Sequence, residues 1–347
     1  MSLIAPPAPD VAQAAAAVPE RHYTHHTGRG ETAQRSNPLV VQRELTTLEV
    51  TEGMNVLEIG TGSGYSGALL SHLVGKDGSV TSIDIDPYLA RWANLIHHQH
   101  GIDNVRCHPA DGTRGHPGQA PYDRLVAWCT PPLLPRSWVE QMTDGGLIVT
   151  PLPIAAVPKV TVVVRIRVTA GTPHVEEIHH GGYVETSTGG ETDSDVPLRW
   201  VDWENRLPAP SWISLARRAE DDWKHTAARA ALDLLRVPGH TEAYRGAAVD
   251  WTSWRTFAAA IVGPHLTVAG LAPEALALGH SAFTTAAVLQ DDGTILADAP
   301  DSASLTALHD WLARWEEAGR PSPEAYTPAL NPHTGPDGIG WDLRLTR

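Results

Sequence analysis

The chain has 347 residues and a formal net charge of -14 at pH 7. That is long enough for two hydrophobic cores and too acidic for general attachment to a phosphate backbone, so no nucleic-acid partner is expected. The two cysteines, Cys107 and Cys129, lack a C-x-x-C partner and read as reduced small core residues. No apolar run approaches the roughly eighteen residues of a membrane helix. The Ala- and Pro-rich start lacks the basic and apolar regions of a secretory signal, so a soluble, cytoplasmic protein with no membrane partner is expected.

Residues 1–17 read as a flexible or weakly docked tail, with an Ala-rich helical turn at residues 11–18. Residues 39–48 carry a helical pattern, punctuated by Thr51-Glu52-Gly53. An apolar strand then runs straight into a turn with three alternate glycines, Val56-Leu57-Glu58-Ile59-Gly60-Thr61-Gly62-Ser63-Gly64-Tyr65. Glycine permits positive φ and lets a ligand approach bare backbone, while the helix that follows presents its unpaired N–H groups. A tight structural turn could also be glycine-rich. A second apolar run, residues 79–83, ends in Asp84-Ile85-Asp86, and an acid at that strand tip can accept both ribose hydroxyls of a nucleoside. The spacing is E-x-G-x-G-x-G, not the Gly-x-Gly-x-x-Gly of a dehydrogenase, and it resembles motif I of the S-adenosylmethionine (SAM) methyltransferases. In that resemblance Glu58 sits near the amino acid moiety of the cofactor; otherwise it is a solvated residue at a strand end.

A strand predicted at residues 105–107 leads into His108-Pro109-Ala110-Asp111-Gly112-Thr113-Arg114-Gly115, and Pro121-Tyr122-Asp123 precedes a further strand. These segments, with Asp144-Gly145-Gly146 and Leu147-Ile148-Val149, resemble the protein-L-isoaspartate O-methyltransferase family. Upstream, Val18-Pro19-Glu20-Arg21-His22-Tyr23 and Arg35-Ser36-Asn37-Pro38-Leu39-Val40-Val41 resemble its V-P-R-x-x-F and I-S-Q-P-Y segments. The likeness covers about the first 185 residues. It implies a doubly wound, Rossmann-like α/β sheet and SAM as cofactor, held by Glu58, Gly60, Thr61, Gly62, Ser63, Gly64, Tyr65, Asp84, Ile85, Asp111 and Gly112. Asp84 would hold the ribose and Asp111 the adenine amine; the bland reading of Asp111 is a turn residue before Gly112.

On the acceptor side the resemblance places Ser36 beside the substrate carboxyl, as the residue closest to a catalytic role, with Asn37, Pro38 and Leu39 lining the substrate pocket. Ser36 also reads as a helix N-cap before Pro38. Asn37 and Leu39 depart from the family pattern, so the substrate side differs. Arg29 is read equally as a partner for a substrate carboxylate and as a solvated loop cation. No general base is needed, because a carboxylate is already ionised near neutral pH. The histidines at 25–26, 97, 98, 100 and 179–180 have spacing unsuited to a tetrahedral set, so no metal is expected and they read as surface residues.

Beyond residue 188 the chain carries material the resembling family does not need. Residues 185–195 read as a polar boundary loop, Ser211 as the cap of a long helix over 212–235 with a Trp212, Leu215, Ala219, Trp223 stripe, and residues 302–318 as a second helix. Strands are predicted at 286–289 and 294–297 around an Asp291-Asp292-Gly293 turn, and at 340–345. The division expected is a tail at 1–17, a methyltransferase domain at 18–188, and an accessory α+β domain at 189–347 that recognises substrate. This addition and the divergent Ser36 segment resemble the actinobacterial relatives found with ribosomally made, modified peptides such as lanthipeptides and graspetides. There a specific Asp is esterified and then closes to an aspartimide or rearranges to isoaspartate. The implied partner is a peptide or protein bearing Asp or isoAsp, in this case a macrocyclic one. The alternatives are general isoaspartyl repair and, from another class, a non-catalytic SAM-binding partner protein.

Overall fold

The structure is a computed structural model that describes residues 6–26, 30–31, 36–187, 196–218, 223–261, 263–272 and 275–347. The chain divides into two compact units, one of residues 1–152, 163–190 and 330–342, the other of 153–162, 191–329 and 343–347.

In the first unit the stretch expected to be a tail carries helix α1 (Pro9–Ala17), whose Val11 and Ala14 are buried in the core. Helix α2 (Pro38–Leu48) buries Val41, Glu44, Leu45 and Leu48, a spacing that lays one face on the sheet. Strand β1 (Asn55–Ile59) leads through the glycine loop into α3 (Tyr65–Val74). Next come β2 (Ser79–Asp84), α4 (Pro87–Gln99), β3 (Val105–Pro109) and β4 (Tyr122–Ala127). Short strand β5 (Leu134–Pro135) and helix α5 (Arg136–Glu140) precede β6 (Met142–Pro153), β7 (Thr161–Thr169) and β8 (Thr172–His180). The sheet runs β8-β7-β6-β4-β1-β2-β3, with β1 parallel to β2 and β4, β2 parallel to β3, and β4 parallel to β6. This is the doubly wound α/β architecture that the sequence implies. Strand order reverses between β1 and β4, which opens a crevice at their carboxyl ends. Register puts Ile59 opposite both Ile83 and Ala127, so Gly60, Asp84 and Trp128 all follow at that end.

The second unit is built on an antiparallel sheet. Its strands are β9 (Trp203–Asn205), β10 (Ser211–Leu215), β11 (His240–Ala243), β12 (Leu266–Ala272), β13 (Ala275–Ser281), β14 (Ala286–Gln290) and β15 (Thr294–Ala297), in the order β9-β10-β12-β13-β14-β15-β11. Helices α6 (Ala228–Arg236), α7 (Trp251–Ile261) and α8 (Ala303–Glu317) complete it. Ile213, Leu215, Leu232, Leu235, Ala269 and Val288 form a core between α6 and the sheet. The expected long helix over 212–235 is therefore corrected: Trp212 pairs across from Gly270 in β12, and among the described residues of the span the helical ones are the short turn Trp223–Thr226 and those of α6. Trp212 and Leu215 matched helical spacing, but all of β10 is buried, and the absence of a side chain at Gly270 makes room for the indole. The hairpin at Asp291-Asp292-Gly293 and the helix capped by Ser302 form as expected.

Strands β16 (Thr327–Gly335) and β17 (Gly338–Thr346) end the chain, and Gly340 and Trp341 of β17 pair antiparallel with Pro135 and Leu134. Residues 330–342 thus return to the first unit, which a division at residue 188 does not include. Among the described residues, no helix is long and apolar enough to cross a membrane.

Candidate functional site

The three loop glycines all have positive φ, 92° at Gly60, 52° at Gly62 and 85° at Gly64, and they need it for different reasons. A side chain at Gly60 would press on Trp128, and one at Gly64 would meet the Ala93 Cβ at 2.9 Å and His97 Nε2 at 3.2 Å. A side chain at Gly62 would meet nothing within 4 Å, so this glycine alone of the three borders open space. The loop is anchored to β2: Gly60 and Thr61 N–H donate to the Ile83 carbonyl at 2.7 and 3.2 Å, and Gly62 N–H donates to Asp84 Oδ2 at 2.9 Å. Ser63 Oγ accepts from Tyr65 N–H at 3.3 Å, and Tyr65 itself is buried.

Asp84 is mostly buried, and its Oδ1 accepts the Asp86 N–H at 2.9 Å. Burial pushes its pKa up, partly offset by these backbone donors. The Ile85 N–H is a third backbone donor, so of the carboxylate's roughly four acceptor sites one remains for a ligand hydroxyl. Ile85 follows, half-buried. At the end of β3, Asp111 Oδ1 accepts from Thr113 N–H at 3.0 Å and from Thr113 Oγ at 2.7 Å, capping a short turn. Its Oδ2 lies 3.7 Å from Nε of the exposed Arg114. The turn residue and ligand readings of Asp111 are thus compatible, one oxygen for each. Gly112 lies directly on Ile59, whose Cγ2 would be 2.5 Å from an added Cβ, and its carbonyl accepts from Trp138 Nε1 at 2.8 Å.

Glu58 is not a solvated strand end. It is fully buried, and three side chains donate to it: Ser82 Oγ at 2.6 Å, Trp128 Nε1 at 2.9 Å, and Ser66 Oγ. Burial dominates and raises its pKa despite these donors. Ser82 Oγ also lies 2.6 Å from Thr61 Oγ, so the carboxylate braces the loop from beneath. Ser66, Ser82 and Trp128 were not legible as partners, because the sheet register brings Ser82 and Trp128 to Glu58 and the turn of the glycine loop brings Ser66 at the start of α3. His97, read as a surface residue, is also buried: its Nε2 lies 2.8 Å from the Gly64 carbonyl and its Nδ1 3.8 Å from Cys107 Sγ.

On the acceptor side Asn37, not Ser36, caps α2. Its side chain accepts from Leu39 N–H at 2.9 Å, with Pro38 in the first turn. The N-cap alternative for Ser36 is therefore withdrawn, because the residue adjoining Pro38 takes that position. Ser36 precedes the cap half-buried, and Leu39 is 56% exposed. Arg29 lies outside the described residues. Among the described residues no group of three or more His, Cys, Asp or Glu is arranged to hold a metal ion.

The sequence model of the family described as Protein-L-isoaspartate(D-aspartate) O-methyltransferase (PCMT) matches residues 12–185, half of the chain. The chain belongs to this family. It is 40% identical over 125 residues to the protein-L-isoaspartate O-methyltransferase of Methanosarcina mazei, covering 36% of this chain and 51% of that protein. It is 37% identical over 134 residues to that of Methanocella arvoryzae, covering 39% and 71%. The chain thus spans 51–58% of the length of the first curated relatives it matches. Among solved structures, a protein-L-isoaspartate O-methyltransferase aligns at 17% identity and a TM-score of 0.48, over 98% of this chain and 95% of that one. Another, from Plasmodium falciparum and described in complex with S-adenosyl-L-homocysteine, aligns at 14% and 0.45, over 52% and 92%. The family match ends at residue 185, so the second unit lies outside it except for residues 153–162.

Proposed function

We propose that the chain is a SAM-dependent carboxyl O-methyltransferase that esterifies the side chain of an Asp or isoAsp residue in a peptide. The observation that carries the reading is the glycine loop tied through Gly62 N–H to Asp84 Oδ2, with open space above Gly62 and an Asp111 oxygen whose ion-pair partner, the exposed Arg114, is 3.7 Å away. These groups fit a nucleoside cofactor: Asp84 has an acceptor site for a ribose hydroxyl, Asp111 Oδ2 one for an exocyclic amine, and Gly62 leaves room for close approach. When bound, SAM supplies a methyl group on a cationic sulfur. The chain's own residues hold and orient. Glu58, Ser82 and Thr61 fix the loop, and Ser36 at the start of α2 is the residue assigned to hold the acceptor carboxylate with its hydroxyl. Correct alignment of the two reactants and removal of water are worth several kcal/mol, and a carboxylate ionised at neutral pH requires no base.

The finer reading is a specialised enzyme acting on a ribosomally made, modified peptide, with the second unit recognising its folded shape. Its support is the exposed Leu39 and the capping Asn37 in the acceptor segment, together with residues 191–329 of the second unit, which lie outside the family match. Methanol leaves far more readily than hydroxide, so a neighbouring backbone amide can attack the ester and close an aspartimide. General isoaspartyl repair is the second reading, favoured by the names of the relatives. The two separate by substrate shape. The protein is incubated with SAM and, in parallel, a macrocyclic Asp peptide and a short linear isoAsp peptide, and products are followed by mass spectrometry. Gain of one methyl and then loss of methanol on the macrocycle supports the specialised reading. Methylation of the linear isoAsp peptide alone supports repair and removes the specialised one.

A further inference from the structure

Methyl transfer demands that the segment holding the acceptor and the loop holding the donor keep a fixed separation, yet they lie on different elements. A continuous line of side chains joins them. Glu44 of α2 is 1% exposed, and its carboxylate receives Arg43 Nη2 at 2.5 Å, His179 Nε2 at 2.9 Å and the Tyr183 hydroxyl at 3.1 Å. The Tyr183 ring meets the Trp128 indole edge-on, with centroids 5.9 Å apart and planes at 71°. Trp128 in turn donates to Glu58, which Ser82 links to Thr61 of the glycine loop. The Tyr183 backbone is also fixed, since its carbonyl accepts from Thr130 Oγ at 2.9 Å just past β4.

We infer that Tyr183 is a positioning residue for the reaction, setting α2, and with it the Ser36–Asn37–Pro38 segment, against the donor loop through Glu44 on one side and Trp128 on the other. The inference rests on the methyl-transfer reading above. A buried carboxylate is a costly way merely to fill space, and this one, held by Arg43 from its own helix and by His179 and Tyr183 from the end of β8 and just beyond, ties α2 to that segment in one arrangement. The contact between tyrosine and tryptophan carries that arrangement to the second buried carboxylate, Glu58. Tyr183 touches neither of the carboxylates assigned to the cofactor, so its effect is expected on alignment and not on cofactor affinity.

The test uses the full chain with Tyr183→Phe, which keeps the ring against Trp128 and removes only the hydroxyl. Affinity for S-adenosylhomocysteine is measured by calorimetry, the melting temperature by scanning, and kcat and KM on the peptide that the wild-type protein methylates. The expected result is a fall in kcat of about ten-fold, with cofactor affinity and melting temperature close to wild type. His179→Gln, which alters the same carboxylate from β8, is expected to shift kcat in the same direction and serves if the first variant does not fold. Wild-type kcat in both variants overturns the inference. So does a loss of kcat matched by an equal loss of cofactor affinity, which marks a merely structural role. A wild-type protein that binds S-adenosylhomocysteine but methylates neither Asp nor isoAsp peptides rejects the methyl-transfer reading itself, and the inference falls with it.

Discussion

Two buried glutamates illustrate how much environment decides at the scale of a residue. Glu44 has cationic and hydroxyl donors around it, and His179 and Arg43 hold its pKa below the usual carboxylate value against burial; Glu58 has only neutral donors, and burial lifts its pKa. The signs of their pH effects are therefore opposite. Glu44 stabilises the fold above its unfolded pKa, about 4.3 for a free glutamate, and that contribution is lost as pH falls through the lower folded value. The contribution of Glu58 is fully present below about 4.3 and is lost as pH rises through its higher folded value. Denaturant titrations across the acidic range are expected to show the acid-side loss reduced in Glu44→Gln and the loss on the other side reduced in Glu58→Gln; the same pH profile in both variants would contradict the assignment. The glycines give a second contrast. Gly62→Ala adds only the left-handed backbone cost of about 1–2 kcal/mol, because nothing crowds the new methyl. Gly64→Ala pays that cost and overpacks Ala93, adding about 1–3 kcal/mol. Thermal denaturation should therefore rank Gly64→Ala well below Gly62→Ala.

At the scale of elements, α2 follows the segment proposed to hold the acceptor, and its N-terminus depends on the Asn37 cap. Asn37→Ala is expected to lower stability by about 1 kcal/mol, measured by denaturant unfolding, while leaving cofactor affinity alone. An unchanged midpoint would mean that the cap is dispensable. Elements whose residues speak locally were legible in the sequence: the β1 to glycine loop to α3 turn, the acid ending β2, the hairpin at Asp291-Asp292-Gly293 and the Ser302-capped helix. Those decided by distant partners were not. Trp212 joins a strand because β12 offers Gly270 opposite it, and His97 is buried with its ring against the Gly64 carbonyl, far away in sequence. At the site, Asp84 and Asp111 could be read from their strand-end positions. The partners of Glu58 could not, since Ser82 and Trp128 reach it only once β1, β2 and β4 lie side by side.

At the scale of the whole molecule, the chain crosses between its two units more often than a linear division at residue 188 supposes, and in the returning stretch Gly340 and Trp341 pair with Pro135 and Leu134 in the first unit. Leu134 is fully buried. A chain cut after Gly190 is thus expected to melt lower than the full chain and to expose apolar surface, read by scanning calorimetry and dye binding; equal melting temperatures would show the returning strand to be dispensable. On the function proposed above, the second unit bears on which peptide is taken, whereas the loop, Asp84 and Asp111 bear on what is donated. The central claim is transfer of a methyl group to a side-chain carboxylate. It is tested most directly by incubating the full chain with methyl-labelled SAM and matched peptides carrying Asp, isoAsp or Asn at one position. The account predicts label on Asp or isoAsp as a base-labile ester released as methanol, and none on Asn. Label on all three peptides alike, or on none while S-adenosylhomocysteine binds, would contradict it.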